Sequence, residues 1–209
     1  GTEAYFSYPQ AVTSDGTSIY VADSDNHIIR RIDISTGEVT TFAGGAGYGD
    51  FYDSDGTNAR FNYPSGITTD GTNLYVADQN NHRIRQIEIS TGEVTTIAGS
   101  SSYGSSDGTG NSAYFNYPAG ITTDGTNLYV ADTNNHKIRK VVISSGVVST
   151  LAGSDGYYGG YTDGAGASAY FNYPRGITTD GTNLYVADSS NNRIRKIDIS
   201  TKEVSTIAG

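Results

Sequence analysis

Three histidines occupy the same position of a repeated sequence, and histidine is a common zinc ligand. They are His27, His82 and His136, and a fourth copy of the repeat has Asn192 there. The ligands of one zinc ion must all lie within about 2.1 Å of it. Equivalent residues of successive repeats are instead set apart from one another, so we predict a structural role in a turn rather than a metal site.

An aspartate and an arginine also recur seven residues apart in every copy. The aspartates are Asp23, Asp78, Asp132 and Asp188, and the arginines are Arg30, Arg85, Arg139 and Arg195. A carboxylate can pair with a guanidinium, or it can accept hydrogen bonds within its own turn. Either an ion pair across a hairpin or a capped turn therefore explains both residues without catalysis.

Positive charge is concentrated in the run that contains this arginine. Ten of the 13 Lys and Arg residues lie there, for example Lys137, Arg139 and Lys140. A basic stripe can bind RNA, but 22 Asp and Glu give the chain a net charge of -9. That charge repels phosphate over a Debye length of about 8 Å. We therefore predict a solvated strand that faces acidic neighbours, and no nucleic-acid partner.

The first link between copies contains a segment that resembles the start of a calcium loop. Asp53, Asp55 and Asn58 alternate oxygen ligands around a glycine. The acidic twelfth position of an EF-hand is missing, because Tyr63 and Pro64 lie there. A turn is the default interpretation, with these three residues as a calcium candidate. No other metal and no cofactor is predicted.

All these residues belong to one unit written four times. The segment Tyr-Pro-x-Gly-Ile-Thr-Thr-Asp-Gly-Thr-Asn-Leu-Tyr-Val-Ala-Asp occupies 63–78, 117–132 and 173–188, with a looser copy at 8–23. Its prolines are 55, 54 and 56 residues apart, a period typical of propeller blades or solenoid coils. The likeness of the last three copies is compatible with recent amplification or design.

Each copy contains four short β-prone runs, in the second copy at 66–69, 74–77, 83–89 and 94–98. Asp70-Gly71 predicts a tight hairpin turn. The run at 74–77 is apolar on both faces, which is typical of a strand packed between neighbouring sheets. Broken alternation predicts a bulge between Ile84 and Ile87. The pattern predicts an all-β propeller of four four-stranded antiparallel blades.

At these residues the chain resembles the NHL repeat family of β-propellers. The motifs are Pro-x-Gly-Ile, Leu-Tyr-Val-Ala-Asp, Asn-His-x-Ile-Arg and Val-x-Thr-x-Ala-Gly, found in the third copy at 118–121, 128–132, 135–139 and 148–153. The resemblance covers essentially the whole chain. It implies a propeller of about six blades whose relatives mostly bind proteins, RNA or small ligands, with a minority of enzymes.

The repeat boundaries predict a single domain at 1–209, with blades at about 8–44, 63–99, 117–153 and 173–209. Blades 1 and 4 each need a neighbour, because an uncovered blade exposes apolar surface. The four blades could close on themselves, two chains could close an eight-bladed ring, or blades could stack in a longer array or open assembly. Since no strand overlap latches the ends, we favour assembly with another copy.

The links combine apolar plugs with variable tips. An Ala-x-Phe pair ends each link and is expected to seat it on the blades. The tips are rich in Gly and Tyr, and tyrosine offers amphipathic contact area, so the candidate binding residues are Tyr48, Tyr52, Tyr103, Tyr157, Tyr158 and Tyr161. Varying positions at the start of the innermost strands add Gln10, Ser65, Ala119 and Arg175. Packing of one link on the next remains the alternative.

Several function classes lack their signatures in the sequence. There is no cysteine, which excludes disulfides, thiolate nucleophiles and Cys-type zinc sites. The sequence has no run of 18 apolar residues, so membrane insertion is not predicted. No nucleophile elbow, phosphate loop or clustered acid–base pair occurs.

These observations favour a non-catalytic scaffold or binding module that self-associates through blade edges and takes a protein or carbohydrate ligand. A composition rich in Gly, Ser, Thr, Asn and Tyr predicts an extracellular or cell-surface location. The alternatives are a metal-assisted lyase or hydrolase of the same fold, and a fragment of a longer extracellular repeat array.

Overall fold

The computed structural model describes residues 3–45, 47, 49–154 and 159–209. Blade 1 consists of β1 (Pro9–Ser14), β2 (Ser18–Asp23), β3 (Ile28–Asp33) and β4 (Val39–Ala43). Blade 2 consists of β5 (Ser54–Asp55), β6 (Pro64–Thr69), β7 (Asn73–Asp78), β8 (Arg83–Glu88) and β9 (Glu93–Gly99).

Blade 3 consists of β10 (Gly108–Thr109), β11 (Pro118–Thr123), β12 (Asn127–Asp132), β13 (Lys137–Val142) and β14 (Val147–Ala152). Blade 4 consists of β15 (Gly164–Ala165), β16 (Pro174–Thr179), β17 (Asn183–Asp188), β18 (Arg193–Asp198) and β19 (Glu203–Ala208). Single 3-10 turns connect strands at Ser24–Asn26, Gly56–Asn58, Gln79–Asn81, Gly110–Ser112, Thr133–Asn135, Gly166–Ser168 and Ser189–Asn191.

Each blade is an antiparallel meander, as predicted. In blade 2, β6, β7, β8 and β9 pair in chain order. The Asp70 carboxylate accepts the backbone N–H groups of Thr72 and Asn73 at 2.8 and 2.7 Å, which closes the predicted hairpin turn. The register of β8 against β9 shifts between Ile84 and Arg85, so the predicted bulge is confirmed. The chain is an all-β, four-blade propeller.

Blades 2, 3 and 4 each gain a fifth strand that the sequence pattern did not predict. The two-residue strands β5, β10 and β15 lie in the preceding links and pair antiparallel with the outermost strands β9, β14 and β19. The sheet of blade 1 has four strands within the described residues. The links therefore stabilise the outer edge of the blade that follows them.

The apolar cores lie between blades. The second strands are sandwiched as predicted: Leu74, Tyr75, Val76 and Ala77 are all 0% exposed. Because Tyr75 and Ala77 face blade 3 while Leu74 and Val76 face blade 1, each second strand contributes to two cores.

The prediction of a solvated cationic strand is wrong for the arginines at its centre. Arg85, Arg139 and Arg195 are 0% exposed, and Lys137 is 3% exposed. The three arginines are buried because the links fold over them and supply oxygen acceptors. Burying a polar group without a hydrogen-bond partner is unfavourable. The buried arginines therefore need the oxygen acceptors of the links, and the links in turn are held on the blades by the arginines.

Candidate functional site: the exposed faces of blades 1 and 4

Every internal junction joins a forward face of one blade to a back face of the next. The forward face of blade 3 consists of Tyr129, Ala131, Ile138, Leu151 and Ala152. The back face of blade 4 consists of Ala169, Phe171, Leu184, Val186, Ile197 and Val204. Leu151 is 4% exposed, and the other ten residues are 0% exposed. Equivalent residues form the other two junctions, so each junction is a buried apolar layer.

The forward face of blade 4 is open. Ile194 is 41% exposed, whereas its equivalents Ile84 and Ile138 are 0% exposed. Ile207 is 51% exposed, and Tyr185 is half-buried. Ile194 and Tyr185 are the residue types found at the same positions of blades 2 and 3, so the missing neighbouring blade accounts for their exposure.

The back face of blade 1 is open as well. Val12 is 65% exposed, whereas its equivalents Ile67 and Ile121 are 5% and 6% exposed. Phe6 and Ile19 at the same face are half-buried. Blades 1 and 4 therefore carry the two complementary halves of one junction.

A histidine clasp adds polar contacts to the apolar layer. The Tyr117 N–H of blade 3 donates to His82 Nδ1 of blade 2 at 3.2 Å, and the two rings meet edge to face with centroids 4.8 Å apart. His82 itself lies in the left-handed region and ends a 3-10 turn. His27 with Tyr63 repeats this arrangement at 3.1 Å, and His136 with Tyr173 at 3.0 Å. The predicted structural role of the histidines is confirmed, and it is exerted between blades.

Hydroxyl groups extend the clasp at two junctions. Thr133 Oγ1 donates to the Pro174 carbonyl at 2.8 Å, and Ser24 Oγ donates to the Pro64 carbonyl. In blade 4 the corresponding Ser189 is exposed and bonds weakly to its own strand. The hydroxyl group of the clasp is thus present at the open face, where Asn192 replaces the histidine.

From the histidine clasps we predict that the free energy of unfolding decreases at mildly acidic pH. Burial lowers the pKa of His27, His82 and His136 below the ordinary value, and a proton on Nδ1 would remove the acceptor for the tyrosine N–H. In the acidic range the histidines of the unfolded chain bind more protons than those of the folded chain. The contribution of the histidines to the free energy of unfolding is therefore constant above a pH of about 6.5 and decreases below it until the folded-state pKa values are passed. Urea unfolding between pH 7.5 and about 5 measures the change.

The control for this experiment replaces the three histidines with asparagine, the residue that blade 4 has at Asn192. We expect the decrease in stability to be lost. Asp78 and Asp132, whose pKa values burial raises, contribute with the opposite sign and remain in both proteins. An equally steep decrease in the variant would contradict the prediction.

An ion-pair network holds each link on its blade. Arg139 Nη1 lies 2.8 Å from the buried Asp132 carboxylate, and Arg139 Nη2 lies 2.8 Å from Asp107 of the link. The guanidinium also donates to the Tyr114 and Ser106 carbonyls at 2.9 and 3.1 Å. The ion pair is confirmed, and the Asp132 carboxylate also accepts from the Asn135 side chain of its own turn at 2.7 Å, so the two interpretations hold together.

The predicted contact residues are dispersed. Tyr52, Tyr103 and Tyr161 are 60%, 70% and 62% exposed, and no ring contact joins any two of them in the described part of the chain. Tyr103 lies against the His82 ring, and Tyr161 lies under Arg193. Tyr48, Tyr157 and Tyr158 lie outside the described residues.

The four candidate residues on the innermost strands differ in exposure between the end blades and the internal blades. Gln10 and Arg175, in the end blades, are exposed, whereas Ser65 and Ala119 are 7% and 4% exposed. Their contact role stays a prediction. The face residues Val12, Ile194 and Ile207 were not named from the sequence, although aligning the four copies identifies them.

Asp53, the first ligand of the calcium candidate, is bonded to other protein groups. Asp53 lies 2.5 Å from Arg85 Nη2 and accepts from Thr96 Oγ1 at 3.1 Å. Asp55 lies in β5 and Asn58 in the following 3-10 turn. No three His, Asp or Glu side chains converge on a metal-binding position in the residues described.

Grooves repeat along the outer seams. One cavity of about 470 Å³ is lined by Ser106, Asp107, Lys137, Thr150, Gly166 and Lys202 at the seam of blades 3 and 4. The corresponding groove at the seam of blades 2 and 3 is about 450 Å³, and its walls include Phe51, Asp53, Arg83 and Asn111.

Among the described helices none has the length and apolar character to cross a membrane.

Comparison with known proteins identifies the repeat. The NHL repeat sequence model matches residues 61–87, 115–141 and 171–197. Human NHL repeat-containing protein 2 is 30% identical over 245 residues, which cover 100% of this chain and 33% of that protein. The chain thus spans about a third of the length of this curated relative.

Solved structures share the fold. A structural genomics protein of unknown function from Bacteroides thetaiotaomicron is 30% identical, with a TM-score of 0.73 over 90% of this chain and 46% of that one. An auxiliary nutrient binding protein from Bacteroides ovatus is 23% identical, with a TM-score of 0.69 over 95% and 48%. With its three matched repeats and its propeller fold, the chain belongs to the NHL repeat family of β-propellers.

Proposed function

We propose that the chain is a non-catalytic binding scaffold that self-associates by packing the forward face of blade 4 against the back face of blade 1 of another copy. The carrying observation is the exposure of Ile194, 41% against 0% for its equivalents Ile84 and Ile138. Fully burying an exposed side chain of this size contributes about 1.5–3 kcal/mol, and Ile194 can still gain part of that because 41% of it is exposed. A face of this kind promotes association.

The backbone of blade 4 also suits a further blade. A Cβ on Gly120 would collide with the Arg175 carbonyl of the next blade, so glycine is needed for close approach there. A Cβ added at the equivalent Gly176 would lie 3.6 Å from the Ala187 Cβ, an ordinary contact, and would meet nothing else within 4 Å among the described residues. Blade 4 thus has the recess that admits a neighbour at the internal junctions.

Because the two faces differ, the contact between copies is heterologous. Such contacts close into a ring or continue as an open assembly. The simplest closed product is a two-chain ring of eight blades, twice 22.0 kDa. Protein or carbohydrate ligands, and an extracellular location, remain predictions.

Sedimentation equilibrium of Ile194→Glu tests the proposal. We expect the wild-type chain to have a mass of at least twice 22.0 kDa and the variant to be a monomer, because a buried unpaired carboxylate is unfavourable at the contact. Val147→Glu is the matched control, since Val147 is 42% exposed and its equivalents Glu38, Glu93 and Glu203 are already acidic. A monomeric wild-type chain, or equal dissociation of both variants, overturns the proposal.

A further inference from the structure

The outer edge of blade 1 differs from the other three outer edges. In blades 2, 3 and 4 the outermost strand pairs with a two-residue strand of the preceding link. The outermost strand of blade 1, β4, has no such partner in the part of the chain that the structure describes. An unpaired edge offers backbone N–H and C=O groups to an extended peptide.

Each added strand follows an aspartate that is bonded to the blade. Asp163 accepts from Arg195 Nη2 at 2.7 Å and from the Thr206 N–H and Oγ1 at 3.1 and 3.0 Å. Asp53 makes the same contacts with Arg85 and Thr96. The bound segments read Asp-Ser-Asp-Gly, Asp-Gly-Thr-Gly and Asp-Gly-Ala-Gly, so the shared pattern is Asp-x-x-Gly.

Blade 1 retains the groups that receive this aspartate. Arg30 and Thr41 are the equivalents of Arg195 and Thr206. Arg30 Nη1 is 3.7 Å from Asp23, against 2.8 Å in the pair of Arg195 and Asp188.

The guanidinium of Arg30 is also less completely bonded. Its side chain is 15% exposed, whereas that of Arg195 is 0% exposed. Arg30 contacts one carboxylate where Arg195 contacts two. Thr41 is exposed at the same edge. A carboxylate placed between Arg30 and Thr41 would complete the arrangement of the other three blades.

We propose that this edge binds an extended acidic peptide of the form Asp-x-x-Gly, which adds a strand to β4 and places its carboxylate between Arg30 and Thr41. The backbone pairing gives general affinity for extended chains, as in other cases of strand addition. The carboxylate gives selectivity, because bonds between charged groups are stronger than neutral ones. The occupant is a link segment of another NHL propeller chain.

NMR titration of the wild-type chain with the peptide of residues 159–168 tests this proposal. We expect saturable shifts of the Thr41 amide and the Arg30 Nε–H signal at up to millimolar peptide. The same peptide with Asp163→Asn is expected to bind at least about tenfold more weakly, the usual effect of losing a charged hydrogen bond. Acetate at equal concentration should leave both signals in place.

Two protein variants separate this site from general attraction to positive charge. Arg30→Gln is expected to abolish the shift of the Thr41 amide. Arg31→Gln removes the same charge from the same strand but faces Ser18 Oγ, 2.8 Å away, and is expected to bind normally. Equal binding of the Asp and Asn peptides, equal shifts with acetate, or equal loss in both variants overturns the proposal. The mass of the chain is measured separately, so this outcome is independent of self-association.

Discussion

Arg139→Met is expected to lower the free energy of unfolding by about 3–5 kcal/mol, the range for breaking a buried ion pair from one side. Arg139 and Asp132 are both 0% exposed and lie 2.8 Å apart. The substitution leaves the Asp132 carboxylate buried without its cation. It also frees the link carbonyls of Tyr114 and Ser106. Urea unfolding at pH 7 measures the loss.

The pH dependence of this variant identifies the cause. Burial raises the pKa of Asp132, and the Arg139 guanidinium opposes that shift. Without Arg139 the folded state binds a proton more readily than the unfolded state, so the variant should regain stability as the pH falls and lose it as the pH rises. Adding Asp132→Asn should recover part of the loss at pH 7.

Arg30→Met in blade 1 is the matched control. Arg30 is 3.7 Å from Asp23 and is partly exposed. We expect its replacement to cost less than that of Arg139, because Arg30 is partly exposed and contacts one carboxylate at a longer distance. Equal losses from Arg30→Met and Arg139→Met would contradict the assignment of stability to the buried network.

Phe115→Ala is expected to cost about 3–5 kcal/mol, as is usual for a buried phenylalanine. Phe115 is 0% exposed in the junction of blades 2 and 3, and its ring lies 5.3 Å from the Arg139 guanidinium. The substitution leaves a cavity that two rigid sheets cannot close. Thermal and urea unfolding both report it.

Phe6→Ala is the control for this prediction, because Phe6 has the same position on the half-exposed back face of blade 1. At low protein concentration its cost should be well below that of Phe115→Ala. At high concentration the cost should rise if another copy covers that face. Equal costs at all concentrations would show that the Ala-x-Phe plugs do not depend on a neighbouring blade.

Local pattern was sufficient to predict the blades. The tight turn at Asp70, the two-sided apolar strand at 74–77 and the bulge after Ile84 depend on neighbours in the sequence and in the adjoining strand. Repetition supplied the count of four. The pairing of Asp78 with Arg85 was open to two interpretations, since a seven-residue spacing suits both a hairpin pair and a turn.

Long-range contacts decided what local pattern could not. Arg85 looked like part of a solvated strand, but it is buried because Tyr52 and Asp53, 33 and 32 residues away, fold over it. The fifth strands are two residues long, too short to leave a periodic signal. Their existence depends on where each link meets the outer strand.

The candidate site illustrates the same division. The sequence by itself determined that blades of this kind have two apolar faces, because the alternation of side chains places Tyr75 on one face and Leu74 on the other. Ile138 and Ile194 lie in nearly identical segments, yet one is buried and the other is 41% exposed. The repeat boundaries predicted that blades 1 and 4 need a neighbour, but burial depends on how the blades pack, so only the tertiary structure decided how far each side chain of those faces is exposed.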